Sequence, residues 1–129
     1  MMKPSPSLLA AALALVVVTA TKADGFSASF SWAGIPACEK VSPAITLSAV
    51  PLGTKRLRMF MTDLDTPMFH HGGSVIGYYG DAEIKRGAIG YIGPCPPAGE
   101  HHRYTWTIEA LDSDGKTVGT TNVTQTFPP

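Results

Sequence analysis

Three stretches of this 129-residue chain concentrate the side chains that could do chemistry. Asp63-Leu64-Asp65-Thr66-Pro67 holds two carboxylates two positions apart before a proline, a pattern that serves a turn, a metal site or a ligand-orienting pair. Phe69-His70-His71-Gly72-Gly73 and the run Gly93-Pro94-Cys95-Pro96-Pro97-Ala98-Gly99-Glu100-His101-His102-Arg103-Tyr104 contain all four histidines, as two adjacent pairs. Neighbours on an extended backbone point to opposite faces, so one member of each pair can look into a given pocket. His102, Tyr104 and Trp106 share parity, which groups His102 with inward-looking aromatics and turns His101 and Arg103 the other way. One histidine from each pair with Asp63 would make three zinc-competent ligands. Adjacent histidines on a strand lack the local spacing of a zinc site, however, and no cysteine cluster assists them. No serine sits in a Gly-x-Ser-x-Gly elbow, and Cys95 has a disulfide as its preferred fate. Metal-assisted hydrolysis and nucleophilic catalysis are therefore lesser expectations, and packing or plain surface exposure is the simplest fate of any one histidine.

The elements that must position these groups read as strands. Eleven prolines and thirteen glycines leave no long window with a clean helical period. Period-two segments take its place. Residues 26–32 alternate large apolar with small side chains, 56–61 put Leu57, Met59 and Met61 on one face, and 104–109 put Tyr104, Trp106 and Ile108 on one face. Weaker strands are expected at 74–79, 88–92, 116–120 and 124–127, and a single helical turn at 81–86. Asp112-Ser113-Asp114-Gly115 reads as a tight reversal in which glycine supplies positive φ and the aspartates bond nearby backbone. Pro51-Leu52-Gly53 separates two earlier strands in the same way. The expected architecture is one all-β domain with minor α, an antiparallel sheet sandwich.

Composition sets the compartment and excludes some partners. Lys3, the apolar run from Leu8 to Val18 and the small residue closing Thr21-Lys22-Ala23 follow the order of a secretory signal peptide. The run is far shorter than the roughly 20 residues a membrane-spanning helix needs, although an uncleaved N-terminal anchor stays as the alternative. Residues 1–23 are read as the signal, with cleavage after Ala23 or after Ala20, and 24–129 as the domain. The chain has ten basic and ten acidic residues, and loss of Lys3 and Lys22 with the signal leaves eight against ten. With no basic run longer than two, nucleic acid is not an expected partner. Cys38 and Cys95 are an even pair in an oxidising compartment and are read as one disulfide, against the alternative of two buried free thiols.

Taken in order, these stretches resemble the phosphatidylethanolamine-binding protein family, in the bacterial branch labelled Raf-kinase-inhibitor-like. The family's Asp-Pro-Asp-Ala-Pro segment is matched by Asp63-Leu64-Asp65-Thr66-Pro67, and its histidine after an aromatic residue by Phe69-His70-His71. Its Gly-x-Pro-Pro-x-Gly loop and His-Arg-Tyr strand are matched by Cys95-Pro96-Pro97-Ala98-Gly99 and His102-Arg103-Tyr104. The branch's Gly-Pro-Cys-Pro-Pro and its cysteine before Ser-Pro appear as Gly93 to Pro97 and as Cys38 with Ser42-Pro43. The turn before the central strand resembles Ala49 to Lys55. The resemblance implies a large antiparallel sheet beside a smaller one, shortened C-terminally, with a shallow pocket at one end. In that pocket Asp63, Phe69, His71, His102 and Tyr104 would bind a small anion such as phosphate or a phospholipid head group. It also implies a cis Thr66-Pro67 bond. The expectation is a secreted or periplasmic binding protein, not an enzyme, without cofactor or metal. The alternative is a protein-interaction module acting as a protease or signalling inhibitor, and a protein partner or peripheral membrane contact stays open.

Overall fold

The computed structural model describes residues 2–4 and 25–129; the signal-peptide expectation falls almost wholly outside the described residues. Among the described residues seven strands form two antiparallel sheets. β1 (Ser27–Phe30), β2 (Ile45–Ser48) and β5 (Glu83–Ile84) make a three-stranded sheet in the order β1-β2-β5. β3 (Arg56–Asp63), β4 (His70–Gly77), β6 (His102–Leu111) and β7 (Thr117–Phe127) make a four-stranded sheet in the order β4-β3-β6-β7. The domain is an antiparallel sandwich, as its period-two segments require.

The alternation sets which side faces inward. Leu57, Met59 and Met61 of β3 and Tyr104, Trp106, Ile108 and Ala110 of β6 are buried, and they meet Phe30, Ile45, Leu47 and Ile84 from the smaller sheet. Burying each of the larger apolar side chains contributes about 1.5–3 kcal/mol, which makes this double layer the main source of stability. Trp32 stands at one end of the interlayer, edge-on to Phe30, Tyr104 and Phe127, and its Nε1 donates to the Gln125 carbonyl at 3.2 Å. On the outer face Arg58 opposes and pairs with Glu109, a cross-strand pair worth at most about 1 kcal/mol in solvent.

The β6–β7 reversal forms as its sequence dictates. Asp112 Oδ1 accepts from the Asp114 and Lys116 amides, each at 2.9 Å, and Gly115 takes φ 80°, which an L side chain rarely adopts. Other local expectations need correction. Among the described residues there is no helix: 81–86 holds β5, because pairing of Ile84 with Ile45 buries its side chain where a lone helical turn would leave it exposed. The two weak strands expected at 116–120 and 124–127 are one strand, β7, hydrogen-bonded along β6. Residues 88–92 form no strand but a loop clipped to β4, where the Ser74 hydroxyl donates to the Gly90 carbonyl and accepts from its amide, both at 2.8 Å. The Thr66-Pro67 bond is trans, and the cis bond lies at Phe127-Pro128.

Cys38 and Cys95 are joined, their Cα atoms 4.5 Å apart. A stable disulfide belongs to an oxidising compartment, extracellular or periplasmic. Among the described residues no helix is long and apolar enough to cross a membrane.

Candidate functional site

The ends of β3 and β6 and the start of β4 converge on one hollow. Antiparallel register sets Asp63, the last residue of β3, opposite Tyr104 near the start of β6, and pairs Thr62 with His70. Asp63 is buried and both of its oxygens accept hydrogen bonds. Oδ1 accepts from the amides of Asp65 at 2.8 Å and Thr66 at 3.1 Å, which closes the turn after β3, and Oδ2 accepts from His102 Nδ1 at 2.7 Å. Asp65 faces the other way. It accepts from the Arg103 amide at 2.7 Å and from its guanidinium at 3.0 Å, and these bonds hold its carboxyl below the usual range.

Each histidine pair splits as extended backbone demands. His71 is buried and His70 exposed, while His102 is half-buried and His101 exposed with its Nδ1 donating to the Pro128 carbonyl. His71 is clamped by one residue: its Nδ1 donates to the Ile92 carbonyl at 2.7 Å, and its own carbonyl accepts from the Ile92 amide at 2.7 Å. Phe69 stacks edge-on to His71 at 4.7 Å, His71 edge-on to Tyr104 at 5.5 Å, and His102 lies across Tyr104 at 6.3 Å.

The second wall is the loop before β6. Disulfide 38–95 and a 2.8 Å bond from the Cys38 amide to the Pro94 carbonyl tie it to the segment after β1. Gly93 packs so tightly there that a Cβ would collide with the Glu39 carbonyl, so the close approach requires glycine. These walls enclose a hollow of about 490 Å³ lined by all five expected residues (Asp63, Phe69, His71, His102 and Tyr104). Cys95, Pro97 and Glu100 line it too. A slightly larger hollow of about 540 Å³, bounded by Leu57, Tyr78, Tyr79 and Lys85, holds neither a histidine nor an unsatisfied buried polar atom, so it has the weaker chemistry.

Electrostatics distinguish the groups. The hydrogen bond to Asp63 raises the His102 pKa, and the charges of Asp63, Glu100 and Asp65 add to the rise against the opposing effect of burial. Burial drives the Tyr104 hydroxyl far above the ordinary phenol value. Asp63 and the Cys95 backbone both lie beside the Tyr104 hydroxyl and influence it, yet neither meets it at hydrogen-bond geometry. The hydroxyl is thus a buried donor without an internal partner. Among the described residues no three His, Cys, Asp or Glu groups cluster to hold a metal ion.

Sequence reasoning missed two contributors. Glu100 shares parity with His102 and brings Oε2 to 3.8 Å from its Nε2, a signal that was available in the spacing. The Ile92 carbonyl had none, because backbone groups have no sequence signature.

The fold and site define an all-β pocket protein. The sequence model of the family described as Phosphatidylethanolamine-binding protein matches residues 68–127. Solved structures share the fold. The phosphatidylethanolamine-binding protein homologue CT736 of Chlamydia trachomatis superposes with TM-score 0.58 at 19% identity, covering 81% of this chain and 97% of that one. YbcL of E. coli, described as a member of the mammalian PEBP family, superposes with TM-score 0.52 at 21% identity, covering 68% of this chain and 80% of that one. No curated protein sequence matches significantly. The matched segment and the shared fold support the phosphatidylethanolamine-binding protein family for this chain.

Proposed function

We propose that this chain is an exported binding protein whose hollow takes a small anionic group, phosphate or a phospholipid head group, and that it performs no catalysis. The observation that carries this reading is the buried Tyr104 hydroxyl, left without a partner on the lining of a hollow that also contains two imidazoles. An unsatisfied buried donor costs about 1–3 kcal/mol, and a bound anion would satisfy it with a charge-assisted bond. Tyr104→Phe separates this from a structural role. The variant should keep its stability, or gain up to about 1 kcal/mol, while phosphate affinity falls roughly tenfold. Loss of stability with unchanged affinity in calorimetry would sink the assignment.

The pH dependence has a definite sign. His102 is raised above its ordinary value of 6.5 by its bond to Asp63. Its contribution to stability is whole below that ordinary value and is lost as pH rises through the folded-state value. Anion affinity should fall over the same upper interval, because His102 then gives up its charge. NMR titration of the His102 ring with and without phosphate tests this, and a ring that ignores phosphate at every pH removes it from the site.

A second reading draws on the rim. Leu64, Met68 and Phe69, all in the loop between β3 and β4, expose 41%, 87% and 49% of their surface. Such a cluster suits docking to a protein or a lipid surface. Co-sedimentation with phosphatidylethanolamine vesicles, compared between the native protein and Met68→Ser, reads out the lipid form of it. Equal sedimentation of the two would remove the rim from that role.

A further inference from the structure

We propose that β7 is a self-association edge, on which a second copy of this chain lays its own β7 antiparallel and joins the two large sheets into one. This goes beyond the anion-binding reading and does not depend on it. The ground is how differently the sheet edges are protected.

Three edges are guarded. β1 has four residues and β5 two, too short to template a long ladder. β5 also lies among charges, with Glu83 inside it and Asp81, Lys85 and Arg86 around it. β4 is covered by the 90–92 loop, through Ser74 on Gly90 and through the Ile92 amide on the His71 carbonyl. β7 has no such guard. It is the longest described strand, Thr117–Phe127, and contains neither a charged residue nor a proline. Its register irregularity lies at its start, before Gly119.

The hydrogen bonds of β6 show which backbone groups of β7 face outward. The Arg103 carbonyl accepts from Leu64 and the Leu111 carbonyl from Lys55, so odd-numbered residues of β6 turn their backbone to β3 and even-numbered ones to β7. Tyr104, Trp106, Ile108 and Ala110 therefore bond Gln125, Val123, Thr121 and Gly119. The alternate residues Thr120, Asn122, Thr124 and Thr126 point N–H and C=O away from the sheet. All four are exposed, and among the described residues no strand or loop pairs with those backbone groups. Trp32 Nε1, which reaches β7 from outside its sheet, bonds the Gln125 carbonyl instead.

This edge is its own complement, which selects a second copy as the occupant. Asn122 is the midpoint of β7. Antiparallel pairing about it sets Asn122 against Asn122 of the other copy and Thr120 against Thr124, each pair exchanging both backbone bonds. Threonines opposite one another bond through their hydroxyls, as Thr105 and Thr124 already do at 2.7 Å across β6 and β7. An uncharged strand brings no like charges together, and ten basic against ten acidic residues leave little repulsion between whole chains. The contact is isologous and closes at two copies, because it uses up the edge of both.

Sedimentation velocity of the purified protein from about 1 µM to about 500 µM should show a reversible shift from one copy to two, as a small interface allows. Over that range the Asn122 and Thr124 amides should exchange with deuterium several-fold more slowly, and the Val123 amide, bonded to β6 in either state, should change less. Asn122→Lys sets two ammonium groups opposite each other and should weaken pairing at least tenfold, and Asn122→Asp should do so with two carboxylates. The Asn122 side chain is exposed, so both variants should melt like the native monomer. Mixing the two should restore the pair, since lysine then faces aspartate. A native chain that stays single at every concentration overturns the proposal, and that includes the case in which the edge takes an extended segment of another protein. Variants that associate as well as the native chain, or a mixture that stays single, overturn it too. So does an Asn122 amide whose exchange is unchanged where two copies form, because the contact then lies elsewhere.

Discussion

Replacing Cys38 and Cys95 together by serine is expected to lower the unfolding free energy by about 4 kcal/mol, the chain-entropy cost of opening a loop of this length. The two residues are 57 positions apart in the sequence, and the closed loop contains β2, β3, β4 and β5. Without the link the unfolded chain gains freedom, while the apolar side chains of the double layer, none of them a cysteine, stay in place in the folded chain. The local effect falls on the hollow. Cys95 lines it, and the disulfide ties the 93–97 loop to the segment after β1. Phosphate affinity should therefore weaken in the double variant even under conditions where it is fully folded. Guanidinium denaturation followed with and without reductant measures the first effect and calorimetric titration the second. A change below about 1 kcal/mol would mean that the reduced chain retains the same loop closure without the covalent bond.

Asp63→Ala should remove anion binding and cost about 3 kcal/mol of stability. The carboxylate accepts from the Asp65 and Thr66 amides and from His102, and hydrogen bonds to a charged group contribute about 1.5–3 kcal/mol each. Alanine leaves the turn after β3 with two unpaired amides and frees the ring of His102. Asp63→Asn separates the two roles. Its oxygen can still hold both amides, so most of the turn survives, but its amide group meets the Nδ1–H of His102 donor to donor. His102 should then titrate lower than in the native protein, because its largest raising influence is gone. Ring NMR shifts through the titration give the direction. An unchanged His102 titration in Asp63→Asn would show that this bond does not govern the ring.

The sequence disclosed the site more fully than the local elements around it. Parity along extended backbone was enough to show that one member of each histidine pair can face a pocket and to group His102 with Tyr104, whereas the choice of His71 over His70 came from the family resemblance. The central strands were legible by the same parity: β3 alternates over its eight residues and β6 from Tyr104 to Ala110. Residues 83–84 and 88–92 were not. Their conformation is imposed by partners remote in sequence, Ile45 for one and Ser74 for the other, and two-residue strands leave no period to read. The Ile92 carbonyl that orients His71 is invisible for a related reason, since any residue type would supply it.

The pairing of Asp63 with Tyr104 across β3 and β6 has a consequence for how the chain can vary in length. One residue added to or removed from the middle of β3 would turn its carboxylate end toward solvent and bring Thr62 or Leu64 to face the phenol. The same change at residues 112–115 would only lengthen or shorten a reversal at the far end of the sheet. Tolerance to insertion and deletion should therefore be confined to the turns, and the spacing from Leu57 to Asp63 should behave as a fixed ruler for ligand recognition.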